Sequence, residues 1–173
     1  MITDREFFTR DCLTVAQDLV GKLITCKKSD GTAVSLRISE TEAYCGEDDT
    51  ACHASRSRTP RTEVFYMNGG TVYVYLCYGM HWMLNIVTGA IEQPEAVLIR
   101  ACVEANGPGK LTKKLGVTGT FNKCDIIENG ELFIEDDGKR YEITTAKRVG
   151  IDYAAPVDRD RLWRFCIGNE ITP

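Results

Sequence analysis

The 173-residue sequence has eight cysteines but no Cys-x-x-Cys pair. That spacing excludes a zinc ribbon of the usual kind. No Gly-x-Ser-x-Gly is present, so there is no serine-nucleophile elbow, and "GPGK" at Gly107–Lys110 lacks the upstream glycine of a Walker loop. The amides of that segment still suit a single phosphate at a helix N-terminus. The opening "MITDREFFTR" has no apolar h-region and carries Asp4, Arg5 and Glu6, unlike a secretory signal. The expectation is a cytoplasmic protein (nucleoid-associated if prokaryotic), not secreted, whose thiols stay reduced. Cys26, Cys77, Cys102 and Cys166 lie in apolar runs and read as small core hydrophobes. Repeats, linkers and low-complexity tracts are missing as well.

An excess of positive charge is also missing. Lys and Arg number 21 against 25 Asp and Glu, a formal charge of −4. Taken alone, this argues against a nucleic-acid partner, which needs cations to displace counterions. Charge of either sign is absent from Val64 to Ile91. A membrane-spanning helix needs about 20 mostly apolar residues. This run instead holds Asn68, Gly69, Gly70, Gly79, His81 and Asn85, with Tyr73, Tyr75 and Tyr78 in alternating surroundings. It predicts two buried strands with a break at Gly79, not a span.

The pattern along the chain predicts a single mixed α/β (α+β) domain over residues 1–173, a curved, mainly antiparallel sheet flanked by helices. "DCLTVAQDLVGKLI" begins as an amphipathic helix with Leu13, Ala16, Leu19 and Val20 on one stripe and Gly21 as its stop. "KLITCKK" and "AVSLRISETEAY" read as strands joined by "SDGT", and "GPGKLTKKLGV" as a helix with Pro108 in its first turn. "EAVLIRACVE" is another strand. "ELFIED" and "YEITTAKRVGI" read as a hairpin across "DDGKR", and "LWRFCIG" as a last strand. "GEDDTACHASRSRTPRTE" reads as loop with a short helix.

Three features carry chemistry. Strict alternation in "VSLRISETEAY" places Glu40, Glu42 and Tyr44 on the face of Leu36 and Ile38. A carboxylate leaving a core face has a raised pKa and can act as a base. The plainer reading is that Glu40 and Glu42 lie past the core edge or pair with arginines. A metal cage from Cys45, Cys52, His53 and the neighbouring acids matches no standard spacing. Second, Tyr73 and Tyr75 share a strand face: either core packing or a stacking platform for a base. Tyr78, beside Gly79, is placed to protrude as a wedge. Third, basic residues cluster: Arg56, Arg58 and Arg61; Lys110, Lys113 and Lys114; Lys147 and Arg148. These are solvated faces or phosphate contacts.

Taken in order, "ETEAYCGEDDTACHA", "RTPRT", "GGTVYVYLCYGMHWMLNIV", "VLIRA", "GPGKL", "RVGI" and "WRFCIG" resemble the alkyladenine (3-methyladenine) DNA glycosylase family, from Glu40 to Gly168. The resemblance implies the family's compact mixed α/β fold. It implies excision of alkylated and deaminated purines from DNA without a metal, a cofactor or strand cleavage. Glu42 then matches the base that deprotonates the attacking water, and Arg100 the arginine that holds water and carboxylate. Tyr44, His53 and Tyr75 match the pocket around the flipped base, and Asn85 the residue that screens against guanine's amino group. Tyr78 matches the side chain that enters the duplex. The expected partner is double-stranded DNA with a damaged purine, bound by a monomer with no membrane association. Arg56, Arg58, Arg61 and Lys110 are expected on phosphates. Two rivals use the same residues: a binding module for damaged or single-stranded nucleic acid, and a hydrolase of free nucleosides with Glu40 and Glu42 as its pair.

Overall fold

The computed structural model describes residues 1–171. Helix α1 (Cys12–Leu19) is capped by the Asp11 carboxylate, which accepts from the Thr14 amide. It buries Cys12, Val15, Ala16 and Leu19. Leu13, expected on that stripe, is only half-buried, because the helix turns its Val15 side to the sheet. Strands β1 (Leu23–Lys27) and β2 (Ala33–Cys45) follow, then the hairpin of β3 (Val72–Cys77) and β4 (His81–Thr88), and β5 (Glu95–Cys102). Helix α2 (Pro108–Leu115) starts on Pro108 and stops at Gly116, whose φ of 81° suits glycine. Strands β6 (Leu132–Glu135) and β7 (Tyr141–Ala146), the short helix α3 (Pro156–Arg159) and strand β8 (Arg164–Glu170) complete the order. All named strand pairings are antiparallel, in the order β3-β4-β5-β2-β1-β6, with β8 against β2 and β7. The result is a curled sheet with helices, the mixed α/β class that the sequence pattern implies.

Both faces of the sheet are covered. One packs on α1 and α2 through Val72, Val74, Leu84, Ile86, Val97 and Ile99. The other packs beneath the segment from Cys52 to Tyr66 through Tyr73, Val87 and Ala96. Among the described residues no helix is long and apolar enough to cross a membrane.

Strand β2 departs from strict alternation. It pairs with β1 over Ala33–Arg37 and with β5 over Ile38–Cys45, and its register slips on both sides of Glu40. The irregularity inverts the phase of the strand. Leu36 and Ile38 face the helices, but so do Thr41, whose hydroxyl donates to Ala16 O (2.7 Å), and Ala43. Glu42 and Tyr44 therefore lie on the opposite face from Leu36 and Ile38, contrary to the alternation argument.

Further expectations are corrected. Cys12 and Cys45 form a disulfide, with Cα atoms 6.2 Å apart, so not every thiol is free. The phase inversion causes this, because it turns Cys45 toward α1. Cys26 and Cys102 are core residues, but Cys77, at the end of β3, and Cys166, within β8 between β2 and β7, are only half-buried. β6 and β7 form no hairpin: β6 pairs with β1, and β7 with β8. Reduction of the 12–45 bond, or Cys12→Ser, should lower unfolding stability by about 2–4 kcal/mol in urea titrations. Identical curves with and without reductant would contradict the link.

Candidate active site

Register places four side chains in one row across the sheet. Tyr73 on β3 opposes Asn85 on β4, Asn85 opposes Leu98 on β5, and Leu98 opposes Glu42 on β2. Tyr44 and Arg100 stand two residues from Glu42 and Leu98 on the same face. Strand pairing alone thus brings together residues from distant parts of the chain.

Glu42 has no solvent exposure. Its Oε2 accepts from the Tyr44 hydroxyl (2.8 Å) and its Oε1 from the Val149 amide (2.9 Å), while Arg100 Nε lies 3.7 Å from Oε1. Burial pushes the carboxyl pKa up; Tyr44, Val149, Arg100 and Arg148 pull against that rise. The Tyr44 phenol is pushed well up by burial and by the negative charge of Glu42, so it stays a donor. Glu40 differs. Its carboxylate pairs with Arg164 at 2.9 Å and is partly exposed, which is the plain ion-pair reading.

Tyr44 also walls an aromatic cleft, together with His53, Tyr75, Asn85, Tyr73, Phe65 and Tyr153. Tyr73 and Tyr75 stack at 5.2 Å between ring centroids, and His53 stands edge-on to Tyr75 at 4.9 Å. The Asn85 amide donates to Tyr73 O (3.1 Å). Burial first, then Arg61 and Arg56, lower the His53 pKa to about 4, so the ring is neutral near pH 7. Tyr78 and Gly79, with φ of 50° and 71°, form the tip of the β3–β4 hairpin. The Tyr78 side chain is 89% exposed there.

The basic residues divide. Arg56 and Arg61 line an open hollow that shares His53 and Tyr153 with the cleft. Arg56 lies over the Tyr153 ring and Arg61 over Tyr75. Arg58 is already matched by two carboxylates, Glu63 (2.8 Å) and Glu92 (2.6 Å). Lys110 is exposed on α2, the helix that packs on β4. Lys147 pairs with Asp160. Arg148, read from sequence as part of a basic face, is buried: it binds Asp49 through two hydrogen bonds (2.5 and 2.8 Å), and its guanidinium lies over Tyr44 and Trp163.

Several site residues escaped the sequence reading. Phe65 and Tyr153 sit in segments with no periodic pattern. Asp49 was one acid among several. Arg148 and Val149 stand in "RVGI", but their role as the support of Glu42 and Tyr44 shows only in three dimensions.

A buried carboxylate joined through a phenol to an aromatic cleft, with guanidinium groups beside it, suits hydrolysis at a base-bearing sugar. Comparison with known proteins agrees. A profile of the methylpurine-DNA glycosylase (MPG) family matches residues 6–104 and 103–171. A protein of Borreliella afzelii named "Putative 3-methyladenine DNA glycosylase" is 47% identical, covering 96% of this chain and 97% of its own length. Proteins of the same name are 41% identical in Natranaerobius thermophilus, covering 96% of each chain, and 42% identical in Rickettsia felis, covering 99% of this chain and 96% of its own. The class is that of the DNA-repair glycosylases. Within it, the chain belongs to the methylpurine-DNA glycosylase family.

Asp49→Asn leaves Arg148 as a buried charge without its counter-ion. We expect a stability loss of about 3–5 kcal/mol in urea denaturation. Lys147→Gln, on the exposed neighbouring pair, should leave the midpoint where it is.

Proposed function

We propose that this protein is a monofunctional glycosylase that removes alkylated or deaminated purines, of the 3-methyladenine, hypoxanthine and ethenoadenine class, from duplex DNA. The observation that carries this reading is the Glu42 carboxylate, shut off from water and bonded to Tyr44, a wall of the aromatic cleft.

A base inside a duplex is out of reach, so the nucleotide must turn out, at a cost of a few kcal/mol. Stacking between Tyr44 on one side and His53 and Tyr75 on the other offsets that cost. Tyr78, exposed on a tight hairpin, fills the gap left in the duplex. Arg56, Arg61 and Lys110 hold phosphates, while Arg58, already doubly paired, contributes least. Asn85 screens the base edge. The protein acts as a monomer on double-stranded DNA.

Glu42 takes a proton from water as the water oxygen attacks C1′. The glycosidic bond breaks, its electron pair leaves with the purine, and the sugar passes through an oxocarbenium-like state. The same carboxylate stabilises that positive charge, and Arg100 fixes carboxylate and water. A cationic alkylpurine leaves as a neutral base. The product is an abasic site, and the route uses neither metal nor cofactor.

Glu42→Gln should still bind a hypoxanthine or ethenoadenine duplex, with excision lost by several orders of magnitude in single-turnover assays. Wild-type excision by this variant would refute the mechanism. Only the ionised carboxyl accepts a proton, so excision falls as pH drops through the Glu42 pKa. Burial raises that value, which sets the acid limb above the ordinary glutamate value of about 4.3. Arg100 favours the ionised form, so Arg100→Gln should move the limb to still higher pH in the rate–pH profile. Tyr78→Ser should weaken binding to lesion duplex without lowering thermal stability, since the ring packs on nothing in the free protein. Equal affinity in a titration of labelled duplex would remove Tyr78 from the wedge role.

A further inference from the structure

His53 lines both the aromatic cleft and the basic hollow, and its Nδ1 lies 3.2 Å from the Tyr73 hydroxyl. Either atom of that pair can carry the shared proton. The ambiguity is resolved by a third group. Arg61 Nε lies 3.4 Å from the same hydroxyl. A guanidinium has only hydrogens to give. The Tyr73 oxygen therefore accepts from Arg61; were Nδ1 to donate to it as well, the hydrogen of this buried phenol would have no acceptor among the described residues, so that hydrogen goes to His53 Nδ1. The phenol cannot swing away from this task. It is 1% exposed, stacked on Tyr75, and met by the edge of Phe65 at 4.9 Å.

We infer that Arg61 and Tyr73 lock His53 in the Nε2–H tautomer, so that the imidazole is a fixed hydrogen-bond donor toward an accepting oxygen of the bound nucleotide. Tyr73 is thereby a positioning residue that acts through His53. The neutral state of the ring gives the lock its meaning, because a doubly protonated imidazole would donate from both nitrogens. A fixed donor favours a phosphate oxygen or a purine carbonyl and leaves an amino group unpaired. That discrimination follows from the general cost of leaving a buried donor without an acceptor. The tautomer is a property of the free protein; the recognition step rests on the excision reading above.

The chain has two histidines, so His81→Gln leaves one imidazole to observe. Long-range proton–nitrogen spectra of the ¹⁵N-labelled protein should show Nδ1 in the unprotonated range and Nε2 in the protonated range. Tyr73→Phe, which keeps the ring but removes the relay, should average the two. Arg61→Gln, a change at an exposed side chain, should move them in the same direction. Protonated Nδ1 in the wild type, or shifts untouched by both variants, would overturn the assignment. Inorganic phosphate and free hypoxanthine, added separately, identify the acceptor by which of them moves the Nε2 signal; silence to both overturns the recognition role. On lesion duplex, Tyr73→Phe should raise KM about 2- to 10-fold with kcat unchanged, the worth of one neutral hydrogen bond. An unchanged KM also overturns that role. If no lesion is excised by the wild type, the excision reading fails while the ring spectra stand on their own.

Discussion

The guanidinium of Arg148 and the carboxylate of Asp49 are both closed to water and hold each other through two hydrogen bonds. Removing two such charges from water costs several kcal/mol each, and only well-formed geometry offsets it. Arg148 meets that demand with further bonds to the carbonyls of Ala43 and Asp158, and with its face over Tyr44. Asp49 adds bonds from the amides of Cys45 and Ala51. The pair thus fixes the loop after β2 and the loop before α3 at once. Val149, next in sequence to Arg148, donates its amide to Glu42. The buried carboxylate and the cleft wall are held by the same structural tie.

That arrangement explains how a chain of net charge −4 presents a site suited to a polyanion. Many of its cations are matched by acids, as Arg58 is by Glu63 and Glu92, or Lys147 by Asp160. The acids Asp11, Glu47, Asp48 and Glu95 gather around a separate hollow. The guanidinium groups of Arg56 and Arg61 stack on tyrosines at the rim of the cleft instead. Formal charge counts all of these equally; local field does not.

Much of the candidate site was legible in the sequence because its residues sit in strands with strong patterns. Tyr73 and Tyr75 had to share a face, and the glycine after Tyr78 had to end the strand. Alternation put Glu42 behind Leu36 and Ile38, whereas the slip at Glu40 places it on the other face. Nothing in "RISETEAY" marks an irregularity, since a bulge is set by the pairing partner. The same holds for β6 and β7: two strands across a glycine turn look like a hairpin, but β1 and β8 supplied other edges.

The sequence by itself determined where α1, α2 and the cores of the strands lie, that the sheet is mainly antiparallel, and which carboxylates and tyrosines were available for chemistry. These follow from local pattern, which each stretch of chain carries within itself. Tertiary structure decided that Glu42 is buried while Glu40 pairs with Arg164, that Arg148 is an internal tie, that Cys12 meets Cys45, and that Tyr153 and Phe65 close the cleft. Each of those depends on desolvation or on contact between residues far apart in the chain, and neither quantity exists until the strands have chosen their neighbours.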